Sequence, residues 1–261
     1  MKIHPTAIVE DGAEIGEGAR IGPYCCVGPR VKIGAGVVLH AHVTITGATT
    51  IGPETVVHPF AALGGPPQHL GYRGEDTALI IGAGNIIREH VTMNIGTVAG
   101  RGKTRIGDRG MFMTACHVAH DCIVGDNVIM ANNATLGGHV VIEDSAFLGG
   151  LSAIHQYCRV GAYAFIGGCA AVPTDVIPYG SAVGNHAMLA GLNIVGLKRR
   201  GVSREAIHDL RAAYKLLFSG GETFQERLAD VEKTYGGHPE VARILAFIKS
   251  DAPRPLMTPA R

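Results

Sequence analysis

The sequence predicts a mainly β protein, a parallel β-helix of hexapeptide repeats with a C-terminal α-helical region. Three observations predict it. Ten aliphatic residues, at positions 9, 15, 21, 27, 33, 39, 45, 51, 57 and 63, recur every six residues without a miss. The chain is 46 % hydrophobic and 17 % charged, with 37 glycines and no tryptophan, the composition of a buried, turn-rich fold. Beyond about Gly184 the six-residue period gives way to runs with helical spacing.

A period of six fits neither a helix, at about 3.6, nor an alternating strand, at about 2. It fits short strands joined by tight turns, three to a coil, each with one aliphatic side chain pointing inward. The register breaks after Gly64, and the polar, turn-rich residues 65–75 read as a loop thrown out of the prism. Ile81, Ile87 and Met93 resume the pattern, and residues 94–104 form a second excursion. Twelve hexads then run unbroken from Ile106 to Val172, which makes 25 in all. That is roughly eight coils, and at ~4.8 Å between stacked strands a prism roughly 40 Å long. Ser203 to Phe218 has helical spacing behind a Ser N-cap, Thr223 with Glu226 reads as a capping box, and Pro239 to Lys249 reads as a further helix. The expected division is residues 1–186 for the β-helix and 187–261 for the helical domain.

A net charge of +1 over 261 residues gives no bulk reason to expect nucleic acid or a membrane surface. No run approaches the ~18 apolar residues of a membrane span, and the first residues form no apolar signal region, so a cytoplasmic protein is expected. From Gly191 onward there are 12 Lys and Arg against 8 Asp and Glu, a basic tail that a solvated face explains as readily as an acidic partner does. Of six cysteines, Cys25, Cys116, Cys122 and Cys158 occupy one repeat position otherwise filled by small residues. They read as buried hydrophobes rather than as disulfides or metal ligands.

The repeat also locates the polar residues. With about 18 residues to a coil, His117, His120, His139 and His155, together with Gln156, fall within five positions of one another on three successive coils. A neutral imidazole there suits a general base at neutral pH, and the adjacent Asp121 can fix its orientation and tautomer. Two other readings stay open at this point: turn histidines satisfied by backbone groups, and a zinc site built from convergent imidazoles.

Six segments carry a closer resemblance: HVAHD (117–121), NNATLGGH (132–139), HQYC (155–158), GGC (167–169), GNH (184–186) and GLKRR (196–200). In this order they resemble the UDP-N-acetylglucosamine acyltransferases of lipid A biosynthesis, over nearly the whole chain. The resemblance implies a left-handed β-helix, a homotrimer with sites between neighbouring prisms, and no cofactor. It implies transfer of an (R)-3-hydroxyacyl chain from acyl carrier protein to the 3-hydroxyl of the sugar nucleotide. It further implies His120 as general base, Asp121 as its orienting partner, and the Gly138 N–H as oxyanion donor. His117, His139, His155 and Gln156 would position sugar and donor. Gln68 and His69 would bind substrate, Asn193, Arg199 and Arg200 would hold the nucleotide, and Gly168 and His186 would limit acyl length.

The chain departs from that pattern at three positions. His69 and Gly71 stand where the family usually has Asp and Lys, and Val195 where it usually has Glu. N-acylation of the 3-amino analogue of the sugar is therefore an alternative, and a zinc-dependent enzyme like the carbonic anhydrases of similar shape is a distant one. A non-enzymatic β-helical scaffold fits poorly, because it needs neither excursions nor an edge of imidazoles.

Overall fold

The computed structural model of the chain describes residues 1–260. Strands of mostly two residues stack into three sheets of 11, 9 and 8 strands, here called A, B and C, which form the faces of a triangular prism. Every pairing along the prism is parallel. In the two-residue strands each hexad contributes its aliphatic residue as the second of the pair. Val118, Leu136 and Ile154 lie in register one above another in sheet B, at 0 to 2 % exposure. Val9 and Ile15 remain half-buried because the first coil has no neighbour above it. One hexad escaped the sequence reading: Lys2–Ile3 pairs with Arg20–Ile21, and Ile3 is 41 % exposed on the open end.

Tight turns at the prism corners bring the third turn residue into the left-handed region, as at Asp121 (φ 61°), His139 (64°) and Tyr157 (67°). For a non-glycine residue that costs roughly 1–2 kcal/mol. Each hexad offsets it by burying an aliphatic side chain, which contributes about 1.5–3 kcal/mol. Corner amides also link successive coils, with His139 N–H donating to His120 O at 3.0 Å and Tyr157 N–H to Gly138 O at 3.0 Å.

Both excursions leave the prism where sheet B hands over to sheet C. They are slightly shifted from expectation, to residues 66–77 and 95–102, because the strands around them lengthen. Ala78–Ile81 pairs over four residues with both Ala48–Ile51 and Lys103–Ile106.

At the other end, Gly180–Val183 and Met188–Leu192 form an antiparallel hairpin that finishes sheet A. Four helices follow: α1 (Ile194–Arg199), α2 (Arg204–Leu217), α3 (Phe224–Tyr235) and α4 (Pro239–Lys249). The expected Ser203 N-cap and Thr223–Glu226 capping box are both present. Helix α1, capped by Asn193, is too short for its periodicity to stand out in the sequence. Arg159 ties this region to the prism: its Nε donates to Asp175 at 2.7 Å and its Nη2 to Phe247 O at 3.2 Å, with the guanidinium over the Phe247 ring. Burial pushes the Asp175 pKa up although hydrogen bonds from Arg159 oppose it. Among the described residues no helix is long and apolar enough to cross a membrane.

Candidate active site

The polar cluster sits on the B/C corner, the one opposite sheet A. Asp121, His139 and Tyr157 occupy the same left-handed turn position on three successive coils. His120, Gly138 and Gln156 precede them by one residue, and His155 lies two before Tyr157. His117 is on the neighbouring strand of sheet B, opposite Thr92 on one side and Thr135 on the other. The alignment inferred from the repeat is therefore present.

His120 Nδ1 lies 2.9 Å from Asp121 Oδ2. A buried carboxylate as partner favours the proton on Nδ1, which leaves Nε2 with a free lone pair. The Asp121 side chain is 0 % exposed, and four donor groups converge on it. Beside His120 these are the Thr97 N–H at 3.1 Å to either oxygen, the Thr97 hydroxyl at 2.6 Å, and the Arg101 N–H at 2.7 Å. Burial by itself would raise the Asp121 pKa. The hydrogen bonds from Thr97, His120 and Arg101 outweigh it and hold the group below the usual carboxylate value.

Gly138 lies directly against the His120 ring. A Cβ there would stand 2.7 Å from His120 Cε1 and 2.8 Å from Nε2, so only glycine leaves the ring in place. The Gly138 N–H has no hydrogen-bond partner among the described residues. The rings of His69, His120, His139 and Tyr157 form a continuous row, with centroids 5.4, 5.1 and 4.4 Å apart in turn. His117 Nδ1 is 2.8 Å from Thr92 Oγ1. Burial lowers the pKa of His117, with His120 adding to the effect, and burial also lowers that of His139. Both are thus kept neutral and able to accept or donate without charge.

His120, Asp121 and His139 could in principle ligate a metal, since one ligand atom from each lies within 4.8 Å of the others. The donor set argues otherwise. Both Asp121 oxygens already accept N–H or O–H groups, whose positive ends would face an incoming cation. The nearest thiol is equally unsuited to attack: burial pushes Cys122 up to about 12, and its S–H donates to Gly137 O at 3.2 Å.

The remaining expected residues divide. Gln68 and His69 sit exposed on the first excursion, beside the cluster, and His155 and Gln156 are exposed one coil further on. Gly168 lies on a different corner, between sheets A and B. His186 lies in the turn of the terminal hairpin, bridged to Ala171. Asn193, Arg199 and Arg200 line an apolar groove of about 760 Å³ with Phe147 and Phe165, over sheet A on the far side of the prism. One chain therefore assembles His69, His117, His120, Asp121, Gly138 and His139, and does not bring Gly168, Asn193, Arg199 or Arg200 to them. Sequence reasoning missed Thr97, Arg101 and Tyr157. Tyr157 was available to the same 18-residue arithmetic, whereas Thr97 and Arg101 lie in a segment that has left the repeat.

Comparison with known proteins finds relatives along the whole chain. Residues 175–257 match the family profile described as UDP-N-acetylglucosamine O-acyltransferase, domain 2, and residues 12–47 match the bacterial transferase hexapeptide repeat. A Caulobacter vibrioides protein named acyl-[acyl-carrier-protein]–UDP-N-acetylglucosamine O-acyltransferase is 59 % identical over 79 % of this chain and 78 % of its own. A Rhizobium etli protein of the same name is 51 % identical over 100 % of this chain and 96 % of its own. The crystal structure of UDP-N-acetylglucosamine O-acyltransferase from Moraxella catarrhalis superposes with a TM-score of 0.95 at 41 % identity, covering 98 % of this chain and 100 % of that one.

Proposed function

The chain belongs to the UDP-N-acetylglucosamine O-acyltransferase family, and on that premise we propose that His120 is the base of an acyl transfer to UDP-N-acetylglucosamine. The donor is an (R)-3-hydroxyacyl chain on acyl carrier protein, the acceptor is the 3-hydroxyl of the sugar, and the product is the first ester of lipid A biosynthesis. The observation that carries this reading is the His120–Asp121 pair at 2.9 Å on a buried carboxylate, with the free ring nitrogen turned toward Gly138.

Nε2 of His120 removes the proton of the acceptor hydroxyl as its oxygen attacks the thioester carbonyl. The Gly138 N–H receives the developing oxyanion. Collapse breaks the carbon–sulfur bond, and the proton held on His120 leaves with the thiol. A thioester is already activated, so one base, one oxyanion donor and good positioning suffice without a covalent enzyme intermediate. Neutral His117 and His139, with His155 and Gln156, orient the sugar and the donor chain. The β-helix of residues 1–186 carries this chemistry, and the helical domain of residues 187–261 supplies Asn193, Arg199 and Arg200 to the nucleotide.

Those three residues face away from His120 in their own chain, as does Gly168. A homotrimer, in which the B/C corner of one prism meets a neighbouring copy, would reunite them, with Gly168 and His186 then bounding the acyl chain. We place the enzyme in the cytoplasm, where acyl carrier protein and the sugar nucleotide are found.

The test is a paired transfer assay offering (R)-3-hydroxyacyl carrier proteins of several lengths with UDP-N-acetylglucosamine or its 3-amino analogue. Faster ester formation is the expected result. Preference for the amine would reassign His69, Gly71 and Val195 as determinants of a switched acceptor, and transfer to neither would sink the proposal.

A further inference from the structure

The second excursion has no part in the chemistry just described, yet it covers the one carboxylate on which that chemistry leans. Residues 97–102 fold into a tight loop in which Thr97 O accepts the N–H of Gly100 at 3.1 Å and of Gly102 at 2.9 Å. The loop is anchored at its start, where the Thr77 hydroxyl donates to Gly96 O at 2.6 Å, and is met from below by the Asp121 N–H donating to Thr104 Oγ1 at 2.9 Å. Its inner surface offers the Thr97 N–H, the Thr97 hydroxyl and the Arg101 N–H, all directed at Asp121. A Cβ at Gly100 would stand 2.5 Å from the Asp121 carboxylate, so a glycine is what lets the loop close over it.

We propose that this loop is a carboxylate cradle and that Thr97 is a positioning residue for the base, acting on His120 through Asp121. The inference rests on His120 being the base. A carboxylate bound only by His120 could rotate about its own axis and would concentrate its charge on the imidazole. With both oxygens loaded by fixed donors, Asp121 has one orientation and shares its charge, so Nδ1 is held in line and Nε2 keeps its direction. The titratable or charged groups around Asp121 are His120, His139 at 3.9 Å, the Arg101 guanidinium, and, one step further, His69 and His117. Water cannot replace a lost Thr97 donor, because the carboxylate is closed off from solvent.

The experiment compares Thr97→Val, Thr97→Ser, Gly100→Ala and His120→Ala in the full-length protein, by kcat, KM for both substrates, kcat/KM against pH, and Tm. Thr97→Val should lower kcat about tenfold, the loss expected for one hydrogen bond to a charged group, with KM changed less than about twofold. The acid limb of its pH profile should move to higher pH, because a carboxylate stripped of a donor holds the His120 proton more tightly. Thr97→Ser should restore the parental profile, and Gly100→Ala should lower kcat in the same sense as Thr97→Val. A parental kcat and profile in Thr97→Val, with His120→Ala inactive, would overturn the cradle and leave the base untouched. Loss of kcat in step with loss of Tm, unrescued by serine, would also overturn it. Parental turnover in His120→Ala would overturn the base reading itself, and this one with it.

Discussion

The ring of His139 lies flat on that of Tyr157, with centroids 4.4 Å apart and planes within 4°. Both residues hold left-handed turn positions on adjacent coils, so the corner itself sets their spacing. Stacking of this kind contributes about 0.5–1.5 kcal/mol beyond burial and fixes the plane of a ring set perpendicular to that of His120. Tyr157→Phe should keep the stack and the activity. Tyr157→Ala should free His139 and raise the acceptor KM about three- to tenfold, with kcat less affected. Steady-state kinetics with the sugar nucleotide varied would show this, and an unchanged KM in the alanine variant would remove His139 from acceptor positioning.

His120→Ala should lower kcat by about 10²–10⁴, the usual contribution of a positioned base, while Tm stays within a few degrees of the parent. The ring is mostly enclosed and its one side-chain partner is Asp121, which keeps its other donors. A large fall in Tm alongside activity would assign His120 to the fold instead.

Gly138→Ala should be nearly as damaging as loss of the base. The added methyl would meet the His120 ring at 2.7 Å, well inside van der Waals contact, and the ring would have to swing out of line with Asp121. The same alanine at Gly150, where the nearest atom is a carbonyl oxygen at 3.3 Å on another corner, should be tolerated. Equal activity in the two variants would count against the geometry of the base.

Much of this was legible in the sequence. One aliphatic side chain per face must be buried, so the period of six survives in every coil, and it carries the stacking of His120 over Gly138 with it. The helices were legible through Ser203, Thr223 and Pro239, whose caps are local. Contacts made by segments that leave the repeat were not: Thr97 meets Asp121 across 24 residues that no period connects. The separation of Gly168 from His120 was readable in principle, because it lies twelve residues beyond Gln156, two faces round the prism.

Stability should fall on mild acidification. Burial lowers the pKa of His58, His117 and His139 in the folded chain, whereas the unfolded chain binds protons near the ordinary 6.5. Below that value the unfolded state takes up protons that the folded state resists, so folding stability is full above about pH 6.5 and declines as pH drops toward the folded values. Tm should therefore decrease steadily between about pH 7 and pH 5, and His117→Gln should flatten part of that slope. A Tm that is level across the interval would contradict the burial of these imidazoles.

Thiol reagents should find two of the six cysteines. Cys26 and Cys169 are exposed, whereas Cys25, Cys116, Cys122 and Cys158 are buried. Burial pushes Cys116 up to about 11 and Cys122 and Cys158 to about 12, which leaves almost no thiolate at neutral pH. Two fast equivalents in the native protein, and the rest only in denaturant, are expected; four or more fast equivalents would contradict the packing of the core.

The three-faced coil sets a rule for how this chain can change in length. Any hexad with an aliphatic residue at the right place can enter the stack, since each repeat touches only its neighbours. A six-residue insertion between Asp121 and His139 would thus be forgiven by the core and would still turn everything beyond it by one third of a revolution. Gly138 would then arrive on a different edge from His120, in a protein as well folded as before. Whole coils can be gained above the first excursion without disturbing the cluster, and partial coils within it cannot. Length variation in such a chain is quantised, with the step fixed by the active site and not by the fold.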